Sequence, residues 1–140
     1  MASPEFERQK FSTRTIKLAD YGLDILGYVI ITNDKMIKEH PEVVRGFARA
    51  TLRGLAYMID HPDEAVDIAM TRFDGLNRDT ERKRLEVWIP YLWNQDAQQY
   101  GLGHQSKERW EQTEDVLYRT GFNDKRIDPT TVYTTEFLSS

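Results

Sequence analysis

The sequence contains no cysteine among its 140 residues. Disulfide frameworks, thiolate nucleophiles and cysteine-based metal sites are therefore excluded. Histidine is also scarce, with only His40, His61 and His104. None of them forms a His-x-x-x-His pair or a histidine–carboxylate cluster with metal-ligand spacing. The sequence therefore predicts no metal site and no cofactor.

Long apolar runs and catalytic motifs are missing as well. The apolar run at residues 28–31 has the length of a buried strand, and no run approaches the about 18 residues or more that a membrane span needs. Gly101-Leu102-Gly103 lacks the third glycine and the flanking strand of a phosphate loop, and no Gly-x-Ser-x-Gly elbow occurs. No pair of acids has a spacing that indicates acid–base chemistry. We predict no membrane span, no enzyme activity and no catalytic residues.

The charge balance argues against a nucleic-acid or membrane-surface partner. The chain has 19 Lys and Arg against 23 Asp and Glu, a net charge of −4. Nucleic acids and anionic membranes both need a concentrated positive field. The most basic cluster, Arg78 with residues 82–84, is interleaved with acids, as is typical of a solvated helix face. A small anionic ligand remains compatible with this balance, because one arginine or a helix N-terminus suffices to hold it.

Length and composition predict one globular domain. Hydrophobic residues make up 39% and charged residues 30%, which is ordinary for a soluble protein with a single core. Residues 3–6 (SPEF) resemble the remnant of a cloning site, so we interpret residues 1–7 as a tag or disordered segment. The domain then covers residues 8–140. Residues 1–11 also lack the apolar stretch of a secretory signal.

Hydrophobic periodicity and capping signals predict mainly helices. Residues 42–60 have the strongest pattern, with apolar side chains at spacings of three and four. Pro90 should kink or end its helix near Ile89, and the mostly polar residues 95–103 are interpreted as a loop. The predicted helices are residues 35–39 after an Asn33-Asp34 cap, 42–60, 62 to about 74, 79–89, and 107–120 after a Ser106 cap.

Two short strands, residues 13–18 and 28–32, are predicted on either side of a polar turn, Asp20-Tyr21-Gly22. Loops just beyond strand ends line the ligand crevice in open α/β folds. Tyr21 offers a ring and a hydroxyl, Asp20 an acceptor, and Gly22 a close backbone approach. This turn is therefore the candidate binding position, and an ordinary turn is the alternative.

Aromatic residues are dense between positions 88 and 110. Such rings can stack on a flat ligand, or they can pack in the core, and the helical spacing of Trp88 and Trp110 favours core packing. The residues concerned are Trp88, Tyr91, Trp93, Tyr100 and Trp110.

Three stretches, taken in order, resemble a known family. They are residues 18–24 followed by 27–32, residues 38–54 running on to 61–66, and residues 128–129 followed by 132–138. Together they resemble the substrate-binding proteins of ABC importers for nitrate, alkanesulfonates and thiamine pyrimidine precursors, and fungal thiamine-pyrimidine synthases are similar. The middle stretch is the most specific of the three.

The resemblance implies the type II periplasmic binding protein fold, two α/β lobes with the ligand between them. This chain corresponds to a later, mainly α portion of it, with about four to five helices and two short strands. The resemblance implies that Asp20, Tyr21, Gly22 and Tyr28 face the ligand, a small molecule of the pyrimidine, sulfonate or nitrate class. The family's N-terminal sheet is missing, so we do not carry over the synthase activity.

Full-length members of the family are periplasmic or lipid-anchored outside the cytoplasm and work with an ABC permease. This chain shows no signal, so we expect it to be cytoplasmic as it stands. Without the missing lobe, Val29, Ile30 and Ile31 would face solvent and pair with another copy. We therefore expect a homo-oligomer. The alternative to a ligand-binding fragment is a truncated fold that acts as an oligomeric interaction module without ligand.

Overall fold

The computed structural model describes residues 3–138, which form seven α-helices and two short 3₁₀ turns. The mainly α fold class is therefore confirmed. The helices are α1 (Pro4–Arg8), α2 (Asp34–Glu39), α3 (Pro41–Asp60), α4 (Pro62–Met70), α5 (Arg78–Leu92), α6 (Gln95–Tyr100) and α7 (Lys107–Arg119). The first 3₁₀ turn is Leu18–Tyr21 and the second is Pro129–Thr131.

Local capping explains where several helices begin. In each case a side-chain oxygen before the helix accepts a hydrogen bond from the backbone N–H of the third helical residue, which would otherwise be unpaired. The caps are Asn33, Asn77, Asn94 and Ser106, at 2.9, 3.0, 2.9 and 3.3 Å from the nitrogens of Met36, Thr80, Ala97 and Arg109. The predicted caps at Asn33 and Ser106 are thus confirmed.

The chain divides into two compact units. The first comprises residues 3–15 and Ala50–Gly103, and the second comprises Ile16–Arg49 and residues 104–138. Helix α3 contributes its N-terminal part to the second unit and its C-terminal part to the first.

In the first unit, α5 packs against both α1 and α4. The buried side chains of this unit are Val66, Thr80 and Ala97. Two ion pairs join α5 to α4, with Arg78 Nε 2.6 Å from Asp67 Oδ1 and Arg82 Nε 3.1 Å from Asp63 Oδ1. Because exposed pairs contribute at most about 1 kcal/mol each, they orient the two helices more than they stabilise them.

In the second unit, α7 packs against the second 3₁₀ turn. The buried side chains are Ala48, Thr113, Val116 and Phe137. The irregular segment after the first 3₁₀ turn is attached to α7 at two points. The backbone N–H of Leu26 donates to Thr113 Oγ1 at 3.0 Å, and Asp24 Oδ1 lies 3.4 Å from Arg109 Nη2.

The two predicted strands are wrong. No β-strand forms between residues 3 and 138: residues 13–17 and 28–32 have no regular structure, and Leu18 enters the first 3₁₀ turn. Both segments have the residue pattern of a strand, one alternating and the other apolar. A strand also needs a neighbouring backbone that exchanges hydrogen bonds with it. The described part of the chain supplies no such neighbour to either segment.

Two helical predictions also need correction. The segment predicted as a loop, residues 95–103, contains α6. Its N-terminus is capped by the Asn94 side chain, whose Oδ1 accepts from the N–H of Ala97. Helix α5 continues through Pro90 to Leu92 instead of ending near Ile89. With α1 and α6, the helices described exceed the four to five expected.

Candidate ligand-binding site

Asp20, Tyr21 and Gly22 lie together at the first 3₁₀ turn. The turn is closed by the N–H of Asp20, which donates to Lys17 O at 3.1 Å, and by that of Gly22, which donates to Ala19 O at 3.1 Å. Gly22 ends it with φ 81°, a left-handed conformation that glycine adopts without steric cost. The Tyr21 side chain is 74% exposed, so its ring is available to a ligand.

Tyr28 lies six residues after Gly22, on the segment that Leu26 attaches to α7, and it is 86% exposed. The structure therefore brings three of the four predicted site residues into one turn and places Tyr28 beyond it. The predicted strands on either side of the turn do not form in the described chain. The strand-end argument for this site consequently has no support from the structure.

A small cavity of about 90 Å³ lies in the second unit, next to α7. Its walls come from α7, the following loop and the second 3₁₀ turn, and include Trp110, Leu117 and Val132. Trp110 is held there by Tyr133, whose ring is stacked on it, and by Gln105, whose Oε1 accepts from the indole N–H at 3.1 Å. Pockets for small molecules usually exceed about 300 Å³, so this cavity is too small for a flat heterocycle. Trp110 therefore serves packing.

Charged groups attach the loop after α7 to that helix. Arg126 lies 2.8 Å from Glu114 Oε2 and 2.8 Å from Asp115 Oδ1, and its guanidinium covers the Tyr118 ring at 4.3 Å. The N–H of Ile127 donates to Glu114 at 3.0 Å. This N–H and the Arg126 guanidinium lower the pKa of Glu114, and Arg126 also lowers that of Asp115. Both acids are therefore structural partners, not poised acid–base groups.

A larger, open groove of about 540 Å³ lies in the first unit along α3 and the residue after it. Ala50, Gly54, Arg53, Tyr57 and Asp60 are among its lining residues. The sequence predicts a helix at 42–60 but places no binding residue on it, so sequence reasoning missed this groove. The recurrence of Arg53, Tyr57 and Asp60 at spacings of four and three was the signal for it.

Two further observations concern metal ligands and membrane spans. Within residues 3–138, no cluster of three or more histidine, aspartate or glutamate side chains is arranged to hold a metal ion. Over the same residues, no helix is both long enough and apolar enough to cross a bilayer.

Comparison with known proteins identifies the relatives of the chain. Residues 1–65 match the family described as NMT1/THI5 like, and all four predicted ligand-facing residues lie in this region. A riboflavin-binding protein, RibY, of Chloroflexus aurantiacus is 32% identical over 112 residues, which cover 78% of this chain and 32% of that protein.

A formylaminopyrimidine-binding protein of Halalkalibacterium halodurans is 31% identical over 98 residues, which cover 66% of this chain and 29% of that protein. The chain thus spans about a third of the length of the curated relatives it matches. These matches confirm the resemblance seen in the sequence: the chain is related to the substrate-binding proteins of the NMT1/THI5-like family.

Proposed function

We propose that this chain is the ligand-contacting later part of a solute-binding protein and that its ligand is a flat nitrogen heterocycle of the pyrimidine class. The observation that carries the proposal is the family match over residues 1–65, which contains the turn Asp20-Tyr21-Gly22. Both named relatives bind flat nitrogen heterocycles, riboflavin and formylaminopyrimidine. Sulfonate and nitrate, the other expected ligand classes, have no such support.

The chemistry of the turn suits a ligand of this class. The exposed Tyr21 ring can stack on a heterocycle, and Asp20 can accept a hydrogen bond from a ring N–H or an exocyclic amine. No heavy atom outside its neighbours lies within 4 Å of a Cβ built on Gly22, so a ligand can approach the backbone there. Tyr28 adds a second exposed ring on the following segment. Binding of this kind involves no bond making, and we propose a non-enzymatic role.

Partners and location follow from the same proposal. In a full-length parent, the second lobe would enclose the ligand and an ABC permease would receive it. Such a parent would work outside the cytoplasm, as periplasmic-type binding proteins do. Enclosure matters because binding sites usually bury most of their ligand.

A thermal-shift screen tests the proposal. The ligands are formylaminopyrimidine, hydroxymethylpyrimidine, riboflavin, thiamine, taurine and nitrate. We expect a saturable rise in melting temperature with a pyrimidine or riboflavin, because a ligand that binds only the folded state stabilises it by about 2.7 kcal/mol at a hundredfold excess over Kd. Tyr21→Ala should abolish the shift, whereas Tyr91→Ala, which removes a tyrosine of the first unit that is 63% exposed, should not. A shift that survives Tyr21→Ala would contradict the assignment of the turn.

The second candidate function is an oligomeric interaction module without ligand. Residues 29–31 carry three adjacent apolar side chains that are 38%, 46% and 85% exposed. They belong to a segment that forms no strand in the described structure, so another copy would have to supply the neighbouring backbone for pairing. Ile31→Lys should then convert an oligomer into a monomer by light scattering. A wild-type chain that is monomeric throughout the micromolar range would exclude this candidate.

A further inference from the structure

The groove on α3 carries one positive and one negative side chain that lack ionic partners. Arg53 and Asp60 both line it and both are exposed. Within residues 3–138, neither side chain takes part in an ion pair or a hydrogen bond. By contrast, several charges of the neighbouring helices α4 and α5 are paired across the two helices, as in Arg78–Asp67 and Arg82–Asp63.

The two charges have a defined spacing on one side of the helix. They are seven residues apart, which corresponds to two turns and about 10.5 Å along the axis. Tyr57 lies between them on the same side, and Ala50 and Gly54 leave the helix backbone accessible beside it. A Cβ built on Gly54 would meet no atom within 4 Å outside its neighbours and its own helix backbone.

The central aromatic residue is held in place. The Tyr57 ring lies 4.7 Å from the His61 ring, centroid to centroid, and Glu64 raises the pKa of the Tyr57 hydroxyl. A fixed tyrosine with charged residues at the rim is the arrangement found at the centre of protein interfaces. Little side-chain entropy is then lost when a partner covers it.

We propose that this groove is the contact surface for a second copy of the chain, packed as an antiparallel pair of α3 helices around a two-fold axis near Ala56 and Tyr57. A two-fold axis at this point relates residue 53 of one copy to residue 60 of the other. Each Arg53 therefore faces the partner's Asp60, and the pair occurs twice. The surface is complementary to itself, as an isologous interface requires.

Charge complementarity favours a second copy over other occupants. A free anion would pair with Arg53 and leave Asp60 unpaired, and a free cation would pair with Asp60 and leave Arg53 unpaired. A two-fold copy satisfies both charges with one surface. This inference goes beyond the proposed ligand-binding function, and it uses α3 instead of the exposed residues 29–31.

Charge reversal tests the inference on the full chain. Arg53→Asp places an acid opposite each Asp60, and Asp60→Arg places a base opposite each Arg53. For each variant alone, the Kd of the homodimer should be about tenfold higher than that of the wild type, or more. The reason is that two attractive charge pairs become repulsive. An equimolar mixture should form a heterodimer, since all four facing charges are then complementary. The double variant Arg53→Asp/Asp60→Arg should dimerise again by itself.

Sedimentation velocity and native mass spectrometry give the readout, with circular dichroism to check the fold. The matched control is Arg72→Asp, the same charge change at an exposed position outside the groove, which should leave the dimer unchanged. A monomeric wild-type chain overturns the inference. So does a dimer that survives both single reversals, or a mixture that associates no better than its components. Dissociation by Ile31→Lys alone would assign self-association to residues 29–31 and also overturn it.

Discussion

The indole of Trp110 stacks on the phenol ring of Tyr133, with 4.8 Å between the ring centroids and 8° between the ring planes. A centroid distance this large between parallel rings means an offset stack, the geometry that the ring quadrupoles favour. The contact joins α7 to the C-terminal segment of the second unit, residues 132–138, which carries the third of the family-like stretches. Tyr133 is therefore a structural residue of this segment.

We predict that Tyr133→Ala lowers the free energy of unfolding by about 1–3 kcal/mol, because the substitution removes both the stack and the buried ring area. Tyr133→Phe keeps the ring and should stay close to the wild type. Urea denaturation followed by tryptophan fluorescence measures both. Equal losses in the two variants would show that the hydroxyl, not the stack, stabilises the segment.

The buried Thr113 hydroxyl connects α7 to the segment after the candidate site. It donates to Arg109 O at 2.8 Å and accepts from Leu26 N at 3.0 Å. Thr113→Val keeps the volume but leaves the Leu26 N–H without its acceptor, which should cost about 1–3 kcal/mol. Amide hydrogen exchange at Leu26 should accelerate strongly, while Thr113→Ser should retain protection. Unchanged exchange in the valine variant would contradict the assigned hydrogen bond.

Stability should decrease in acid for an identifiable reason. The Arg78 guanidinium holds the pKa of Asp67 below its usual 3.8, and the Ile127 N–H together with Arg126 holds that of Glu114 below its usual 4.5. Carboxylates with a lowered folded-state pKa stabilise the fold above the unfolded-state pKa, and this contribution is lost as pH falls through the folded-state pKa. The melting temperature should therefore fall as pH drops below about 4.5.

Removal of the Arg126 guanidinium isolates the pH-dependent stability that its ion pairs contribute in the second unit. Arg126→Met keeps most of the aliphatic stem but loses the pairs with Glu114 and Asp115. The variant should melt lower than the wild type at pH 7, and the difference should shrink as the pH falls through the lowered folded-state pKa values of the two carboxylates. Arg72→Met serves as the control without such pairs and should follow the wild type. A constant difference at every pH would assign the effect to packing of the Arg126 stem over Tyr118.

Much of the helical architecture was predictable because its signals are local. The apolar stripe of α3, the Asn33 and Ser106 caps and the glycine after α7 act within a few residues of the element they define. Helix α6 had a local signal too, the Asn94 cap, but the polar composition of residues 95–100 led to a loop prediction instead. Helix α5 continues past Pro90 to Leu92, although proline cannot donate the backbone hydrogen bond of its position.

The candidate site was predictable only as a turn. The order Asp20-Tyr21-Gly22 indicates a polar turn with a left-handed glycine, and this geometry is observed. Sequence alone determined the helical class, most helix boundaries and the family relationship, because each of these is written in short-range patterns and residue identity.

Tertiary structure alone decided the remainder, because it depends on groups far apart in the chain. Whether residues 28–32 become a strand depends on a partner backbone, and the described chain provides none. The stack of Trp110 on Tyr133 and the bond from Leu26 to Thr113 join positions whose separation no local pattern encodes. The lack of ion pairs at Arg53 and Asp60 also depends on the tertiary structure, since only the folded chain shows which charged side chains lie close to an opposite charge.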